Sequence, residues 1–364
     1  MTITLTIILS VLLGACTIPF WYFSIAFNLS IVMTLSLILA LFITSSSYIL
    51  GDRLGQRTSV FVLKRMGGIA MGTTSIGVVI GLLGFFSGTF IQNVSLTGRI
   101  LALSWAGSVV LATIFERQTP RITTVNLTLN LNTPSHTPSH TPPHTPLHIV
   151  QLTDIHLNGL KSAKQLERWV HTVNQLKPDV IVFTGDLLDI PPQLLKKELN
   201  ILSKLHATHA KLAVSGNHDF YTSDFHYPQT LQDIGFQYLD NQRVEINGVS
   251  FIGLPDKAGV RHHIHRKDIA DLLPKNAPQP IILLDHRPDE FKQSVNAGVT
   301  LQLSGHTHWG QIPPWGLLVR LRYKYGMGLG KYKNGVIYTS KGTSVWGPPM
   351  RLFGRSEIVS LWVS

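Results

Sequence analysis

The chain reads as a four-helix transmembrane bundle followed by an α/β domain of packed β-sheets flanked by helices. Three observations predict this architecture. No charged side chain occurs from Thr2 to Leu50. From His148 onward, short apolar runs alternate with amphipathic helical patterns. A polar motif rich in Asp, Asn and His directly follows several of those runs, where a strand would end. Composition agrees, with 44% hydrophobic and 14% charged residues, against roughly 25% charged in soluble domains. The imbalance is local: residues 1 to 119 hold six Lys or Arg and two acids, and the remainder has an ordinary balance.

The charge-free opening is too long for one span of about 20 residues and right for two helices joined near Asn28 to Ser30. Two further apolar runs, Gly67 to Phe90 and Ile100 to Phe115, make four spans. The third pairs Gly68 with Gly72, Gly77 with Gly81 and Gly84 with Gly88, a small-xxx-small spacing that lets helices in lipid approach closely. The loop from Gly51 to Met66 carries Arg53, Arg57, Lys64 and Arg65 against one acid, whereas the next loop has only Arg99. The positive-inside bias then puts the first loop, both ends of the bundle and the soluble half on the cytoplasmic side. A competing reading takes Leu13-Gly14-Ala15-Cys16 as a lipoprotein cleavage box, which would move the soluble half outward, but the stretch lacks a basic n-region. A single cysteine excludes an internal disulfide framework.

Residues 120 to 147 form a linker dominated by Thr133 to Pro146, in which Pro and His recur. Its prolines forbid helix and favour an extended spacer. Histidines about four apart, His148 included, admit metal binding, and a low-complexity tether is the plainer account.

In the domain from 148 to 364, the strand-like runs are Ile149 to Leu152, Val180 to Phe183, Leu212 to Val214, Phe251 to Leu254, Ile281 to Leu284 and Leu301 to Leu303. Leu166, Trp169, Val170, Val173 and Leu176 repeat at helical spacing between the first two. The runs lead into Asp154-Ile155-His156, Gly185-Asp186-Leu187-Leu188-Asp189, Gly216-Asn217-His218-Asp219, His286, and Gly305-His306-Thr307-His308. Each has an ordinary alternative: a helix cap, a turn pair, a satisfied core histidine, alternate strand residues. Their joint occurrence at successive strand ends instead supplies hard oxygen and imidazole donors for two divalent ions.

These motifs in this order resemble the calcineurin-like metallophosphoesterases, and more closely the bacterial membrane-associated branch of that family, over about residues 148 to 364. The resemblance implies metallophosphoesterase-type packed sheets and one ion held by Asp154, His156, Asp186 and His308. A second would be held by Asp186, Asn217, His286 and His306, with Asp186 bridging. Mixed His, Asp and Asn donors suit Mn, Fe or Zn better than Mg or Ca. His218 would stabilise or protonate the leaving oxygen, and Asp189 would keep its imidazole protonated and oriented. That branch usually carries Gly after the second His of Gly-His-x-His, where this chain has Trp309. The family's protein phosphatases place Arg after Gly-Asp-x-x-Asp, where this chain has Ile190, which disfavours a phosphoprotein substrate.

From Phe291 to Ser356 there is no acid. Arg320, Arg322, Lys324, Lys331, Lys333, Lys341, Arg351 and Arg355 are interleaved there with Trp309, Trp315, Tyr323, Tyr325, Tyr332 and Trp346. A solvated basic face and a single-stranded nucleic-acid groove are alternatives. With a membrane anchor, a surface facing anionic lipid headgroups is the better reading. The expectation is a multi-pass protein of the bacterial inner membrane, its domain facing the cytoplasm. It would hydrolyse a phosphodiester or pyrophosphate, as do membrane relatives that cleave a UDP-diacylglucosamine, on a lipid-linked substrate such as a phospholipid. The alternatives are a tethered phosphodiesterase of soluble nucleotides and a non-catalytic membrane sensor or transport protein.

Overall fold

The computed structural model describes residues 2–51, 58–88, 94–129, 146–221, 226–273, 280–352 and 354–364. It divides into two compact units. The Pro- and His-rich stretch from 133 to 145 lies outside the described residues.

The first unit contains α1 (Thr2–Phe27), α2 (Ile31–Gly51), α3 (Thr58–Gly88) and α4 (Val94–Arg117). All four are long and apolar enough to cross a membrane, since about 20 residues rising 1.5 Å each span a hydrocarbon core of about 30 Å. The break between α1 and α2 falls where the sequence places it. Asn28 adopts φ 49°, a left-handed conformation that Asn tolerates, and Ser30 Oγ accepts the amide of Met33 at 3.2 Å to cap α2.

Glycines on α3 let its backbone approach its neighbours. A Cβ on Gly67 would stand 2.5 Å from the Tyr48 amide nitrogen and 2.7 Å from the Thr44 carbonyl on α2. On another side of α3, a Cβ on Gly77 would stand 2.9 Å from Pro19 and 3.0 Å from Trp105. Gly67→Leu is therefore expected to force α2 and α3 apart and cost about 1–3 kcal/mol. Thermal unfolding of the detergent-purified protein checks this, and an unchanged midpoint would contradict it.

Two segments from the second half of the sequence, Gly310–Leu318 and Val345–Arg355, also belong to this unit. Ile312 and Met350 join Ile76 and Ala112 in its core, Ser75 Oγ donates to the Pro313 carbonyl at 2.6 Å, and the Arg351 amide donates to Ala112 at 2.9 Å. The sequence reading assigned these residues to the domain from 148 to 364. Isolated apolar residues in Pro- and Gly-rich stretches show no periodicity that would reveal a distant partner. Arg351, read there as part of a basic surface, is fully buried.

The second unit is built from two six-stranded sheets. Its strands are β1 (Arg121–Leu127), β2 (Leu147–Leu152), β3 (Val180–Thr184), β4 (Ala210–Val214), β5 (Gln237–Tyr238) and β6 (Gln242–Ile246). They continue with β7 (Val249–Gly253), β8 (Ile281–Leu284), β9 (Leu301–Ser304), β10 (Gly328–Tyr332), β11 (Gly335–Thr339) and β12 (Glu357–Val363). One sheet runs β1-β12-β2-β3-β4-β5 and the other β10-β11-β9-β8-β7-β6. Their facing residues, among them Ile149, Val182 and Leu212 of one and Phe251, Leu284 and Leu303 of the other, form a single buried core. Strands β2, β3, β8 and β9 are buried at every position, which is why they read as continuous apolar runs rather than alternating ones. The helix Ala163–Gln175 covers the first sheet's connection with the expected face of Leu166, Trp169, Val170 and Val173, and Ser162 caps it by accepting the Gln165 amide.

The linker reading from 120 to 147 needs correcting at both ends. Arg121–Leu127 is a strand, paired in parallel with β12 from Arg121↔Glu357 to Leu127↔Val363. His148 is a buried residue of β2, bonded through Nε2 to Ser360 Oγ at 2.8 Å and stacked on Trp362. It therefore belongs to the sheet and not to a metal-binding row of tether histidines.

Candidate metal centre

Every sequence-predicted site residue follows the carboxyl end of a parallel strand. Asp154 and His156 follow β2, Asp186 and Asp189 follow β3, and Asn217 and His218 follow β4, three neighbours in one sheet. His286 follows β8 and His306 and His308 follow β9, neighbours in the other. The turns are sharp: Asp154, His156, Asp186, His306 and His308 all have φ between 47° and 74°. Left-handed backbone costs a residue with a side chain about 1–3 kcal/mol and persists only where surroundings enforce it. Here a lattice of loop hydrogen bonds enforces it. The Asp154 amide donates to the Gly185 carbonyl, His156 to Asp186, Leu157 to Leu187 and Asp189 to Leu157, all at 2.8–3.0 Å. The motif glycines permit the crowding, since a Cβ on Gly216 would collide with Asp186 Oδ1 and one on Gly305 with Asp154 Oδ2.

Among the described residues three groups have donor atoms within 4.8 Å of one another, and two of them gather the predicted ligands: Asp154, His156 and His308, and Asp186, His286 and His306; the third joins His156, Asp189 and His218. In the first, His156 Nε2 and His308 Nε2 are 3.1 Å apart, and His308 Nε2 is 3.3 Å from Asp154 Oδ1. In the second, His286 Nε2 lies 3.2 Å from both His306 Nδ1 and Asp186 Oδ2. Asp186 Oδ2 also lies 3.7 Å from His156 Nε2 and so faces both groups, while Oδ1 accepts the His218 amide at 2.8 Å. Asn217 gives its Nδ2 to the Tyr221 hydroxyl at 2.9 Å, and its buried Oδ1 has no hydrogen-bond partner among the described residues. Paired imidazole nitrogens, shared carboxylate oxygens and an orphaned amide oxygen fit divalent cations.

Outer partners fix which nitrogen each histidine presents. His286 Nδ1 is 2.8 Å from the Thr184 carbonyl and His156 Nδ1 is 2.7 Å from Asp189 Oδ1, so each donates Nδ1–H and aims Nε2 inward. Asp189 Oδ1 is also 2.9 Å from His218 Nδ1. The residue read as orienting His218 thus holds His156 as well.

Electrostatics follow from this crowding. Burial disfavours charge on His218, yet the Asp186 and Asp189 carboxylates raise its pKa to about 9. Against its own burial, the Asp189 carboxyl is held well below the ordinary range by His156 and His218. Burial, His286 and Arg287 together push His306 down to about 3, leaving it a neutral donor.

Sequence reasoning gave no role to Asp219, which accepts four backbone amides: Gly216 and Asp186 on Oδ2, Leu187 and Leu188 on Oδ1, at 2.8–3.0 Å. It sews the loop after β3 to the loop after β4. Burial and the neighbouring Asp186 raise its pKa to about 7, while the Gly216 and Leu188 amides favour the carboxylate. Tyr221 and Tyr323 were missed too, because their hydroxyls reach the site from outside any motif. Glu357 is buried and accepts Thr123 Oγ1, Tyr338 Oη and the Lys341 amide, a sheet-closing role. Trp309 stands at φ 51°, which explains why Gly suits that position, and Arg320 lies over its ring at 4.9 Å.

Residues 147–310 match the calcineurin-like phosphoesterase family model, a span that holds all the motifs. An uncharacterized metallophosphoesterase of Helicobacter pylori is 35% identical over 216 residues, covering 58% of each chain. The chain thus spans less than two thirds of that relative's length. The uncharacterized metallophosphoesterase YkuE of Bacillus subtilis is 32% identical over 229 residues, or 58% of this chain and 76% of its own. A transmembrane protein with metallophosphoesterase domain from Bos taurus is 32% identical over 287 residues, or 72% of this chain and 63% of its own. Strand-end motifs, converging donors and these relatives agree: the chain belongs to the calcineurin-like metallophosphoesterases.

Proposed function

We propose that this protein is a membrane-anchored, two-metal phosphoester hydrolase that cleaves a phosphodiester or pyrophosphate bond. The observation that carries this reading is Asp186 Oδ2, set between two clusters of imidazole and carboxylate donors. Asp154, His156, Asp186 and His308 would hold one ion, and Asp186, Asn217, His286 and His306 the other, with Mn, Fe or Zn suited to the donors. Such a pair, when bound, activates water for attack on phosphorus and offsets charge on the phosphoryl oxygens. As the ester P–O bond breaks, His218 gives its proton to the leaving oxygen, and Asp189 keeps that imidazole charged and aligned.

The substrate in this reading is an amphiphile with its phosphate at the bilayer surface, such as a phospholipid or a nucleotide-linked glycolipid. Four apolar helices would hold the protein there, with the domain on the cytoplasmic face of a bacterial inner membrane. The helix Trp315–Arg322 exposes Trp315, Leu317, Leu318 and Leu321 alongside Arg320 and Arg322. Apolar side chains beside arginines suit a headgroup interface, each cation there contributing about 1 kcal/mol. Soluble nucleotides remain the alternative substrate class.

The test is to strip the purified protein with chelator and restore Mn²⁺. Aryl phosphodiester hydrolysis is expected to vanish and return, and Asn217→Ala is expected to lose at least about 10-fold. Hydrolysis unaffected by either change overturns the enzyme assignment. In anionic vesicles, a variant with Arg320, Arg322 and Lys324 changed to Gln is expected to cleave a lipid phosphodiester more slowly. Equal rates, or a preference of the parent for short soluble diesters, remove the lipid substrate and leave the hydrolase.

A further inference from the structure

We infer that Tyr323 is a positioning residue for His306 and sets how tightly the second of the two ions is held; the inference rests on the two-metal reading above. His306 differs from the other histidines of the centre in the edge it turns inward. Its Nδ1 lies 3.2 Å from His286 Nε2, inside the second group, and its Nε2 lies 3.1 Å from the Tyr323 hydroxyl. A tyrosine hydroxyl can accept or donate; with Nδ1 given to the ion, Nε2 carries the hydrogen and the Tyr323 oxygen becomes its acceptor, so the contact supports the tautomer in which Nδ1 ligates.

The three outer acceptors differ in kind. His156 leans on a carboxylate at 2.7 Å and His286 on a backbone carbonyl at 2.8 Å, whereas His306 leans on a phenol at 3.1 Å. A carboxylate polarises an imidazole more than a carbonyl, and a carbonyl more than a phenol. The second ion therefore depends on the weakest of the three supports. Tyr323 is itself held in place: its ring stands edge-on to His306, with 5.8 Å between centroids, and carries the Arg322 guanidinium at 5.0 Å. Its amide donates to the Val319 carbonyl at 2.8 Å. The hydroxyl is thus aimed by two contacts that do not involve the ligands.

The experiment is a Mn²⁺ titration of the full-length protein in detergent, comparing parent, Tyr323→Phe and Tyr323→Gln. Calorimetry reads the two affinities, and electron paramagnetic resonance reads whether bound Mn²⁺ is single or exchange-coupled as a pair. Removing an outer-shell partner costs about 10–100-fold in metal affinity. Tyr323→Phe is expected to leave the first affinity unchanged and weaken the second by that factor, so that single-ion spectra persist where the parent shows pairs. Tyr323→Gln, whose carbonyl oxygen can accept the same N–H, is expected to recover part of the loss. An unchanged first affinity also shows that the variant is folded. Two ions in the parent with the same second affinity in Tyr323→Phe overturn this inference alone. A parent that takes up fewer than two ions overturns the two-metal reading and this inference with it.

Discussion

An Asp186→Asn protein is expected to hold at most one divalent ion and to lose more than about 100-fold in phosphodiester hydrolysis, beyond the upper end of what losing an outer-shell partner costs. Asp186 Oδ2 belongs to the second donor group, 3.2 Å from His286 Nε2, and also lies 3.7 Å from His156 Nε2 of the first. The amide is nearly isosteric and can still accept the His218 amide through the position now filled by Oδ1, so the loop after β4 should stay in place. What changes is charge and donor capacity. The neighbourhood of His156, His218 and His286 holds the Asp186 carboxyl, despite its burial, well below the ordinary range, so a full negative charge stands between the clusters. An amide nitrogen there repels a cation and leaves the histidines facing one another. Metal stoichiometry by mass spectrometry of the desalted protein, alongside steady-state hydrolysis, reads both effects. Two ions per chain with parental turnover would show that the clusters do not share this oxygen.

The strand-end placement was legible because it rests on short local patterns: a continuous apolar run, then a turn, then a polar residue. Asp154, His156, Asp186, Asn217, His286, His306 and His308 all follow that grammar, and the parallel neighbours β2-β3-β4 and β8-β9 bring them together. The link from Asp189 to His218 was an expectation from the family resemblance and not from local pattern, and its link to His156, which also joins separate motifs, was in neither. Tyr323 lies 17 residues beyond His306, after a helix and outside any motif, so only the folded chain reveals its contact. The edge strand β1 could have been found. Its Ile122, Thr123, Thr124 and Val125 form a β-branched run, but the polar members and the Pro-rich stretch beyond it disguise the pattern. The placement of Ile312 and Met350 carries no local signal at all.

Asp219→Asn is expected to cause the largest loss of stability in the second unit. Above its raised pKa of about 7, at about pH 8.5 for instance, Asp219 is a carboxylate, acceptor-only on both oxygens, and takes four buried amides. Asparagine can still take the Leu187 and Leu188 amides on its one oxygen, but its NH₂ would then face the amides of Asp186 and Gly216, donor against donor. Two buried N–H groups left unsatisfied cost about 1–3 kcal/mol each. The sum, about 2–6 kcal/mol, is a large share of the roughly 5–15 kcal/mol that stabilises a typical domain. For 150–250 residues each kcal/mol moves the midpoint by about 2–4 °C, so the melting temperature should fall by roughly 4–24 °C. Asp219 is not among the proposed ligands, which makes the effect separable from metal loss. Thermal unfolding followed by near-ultraviolet circular dichroism in excess chelator should still show the full drop. A midpoint within about 2 °C of the parent under those conditions would mean that the left-handed turns at Asp154, His156 and Asp186 are enforced by the neighbouring loop bonds alone.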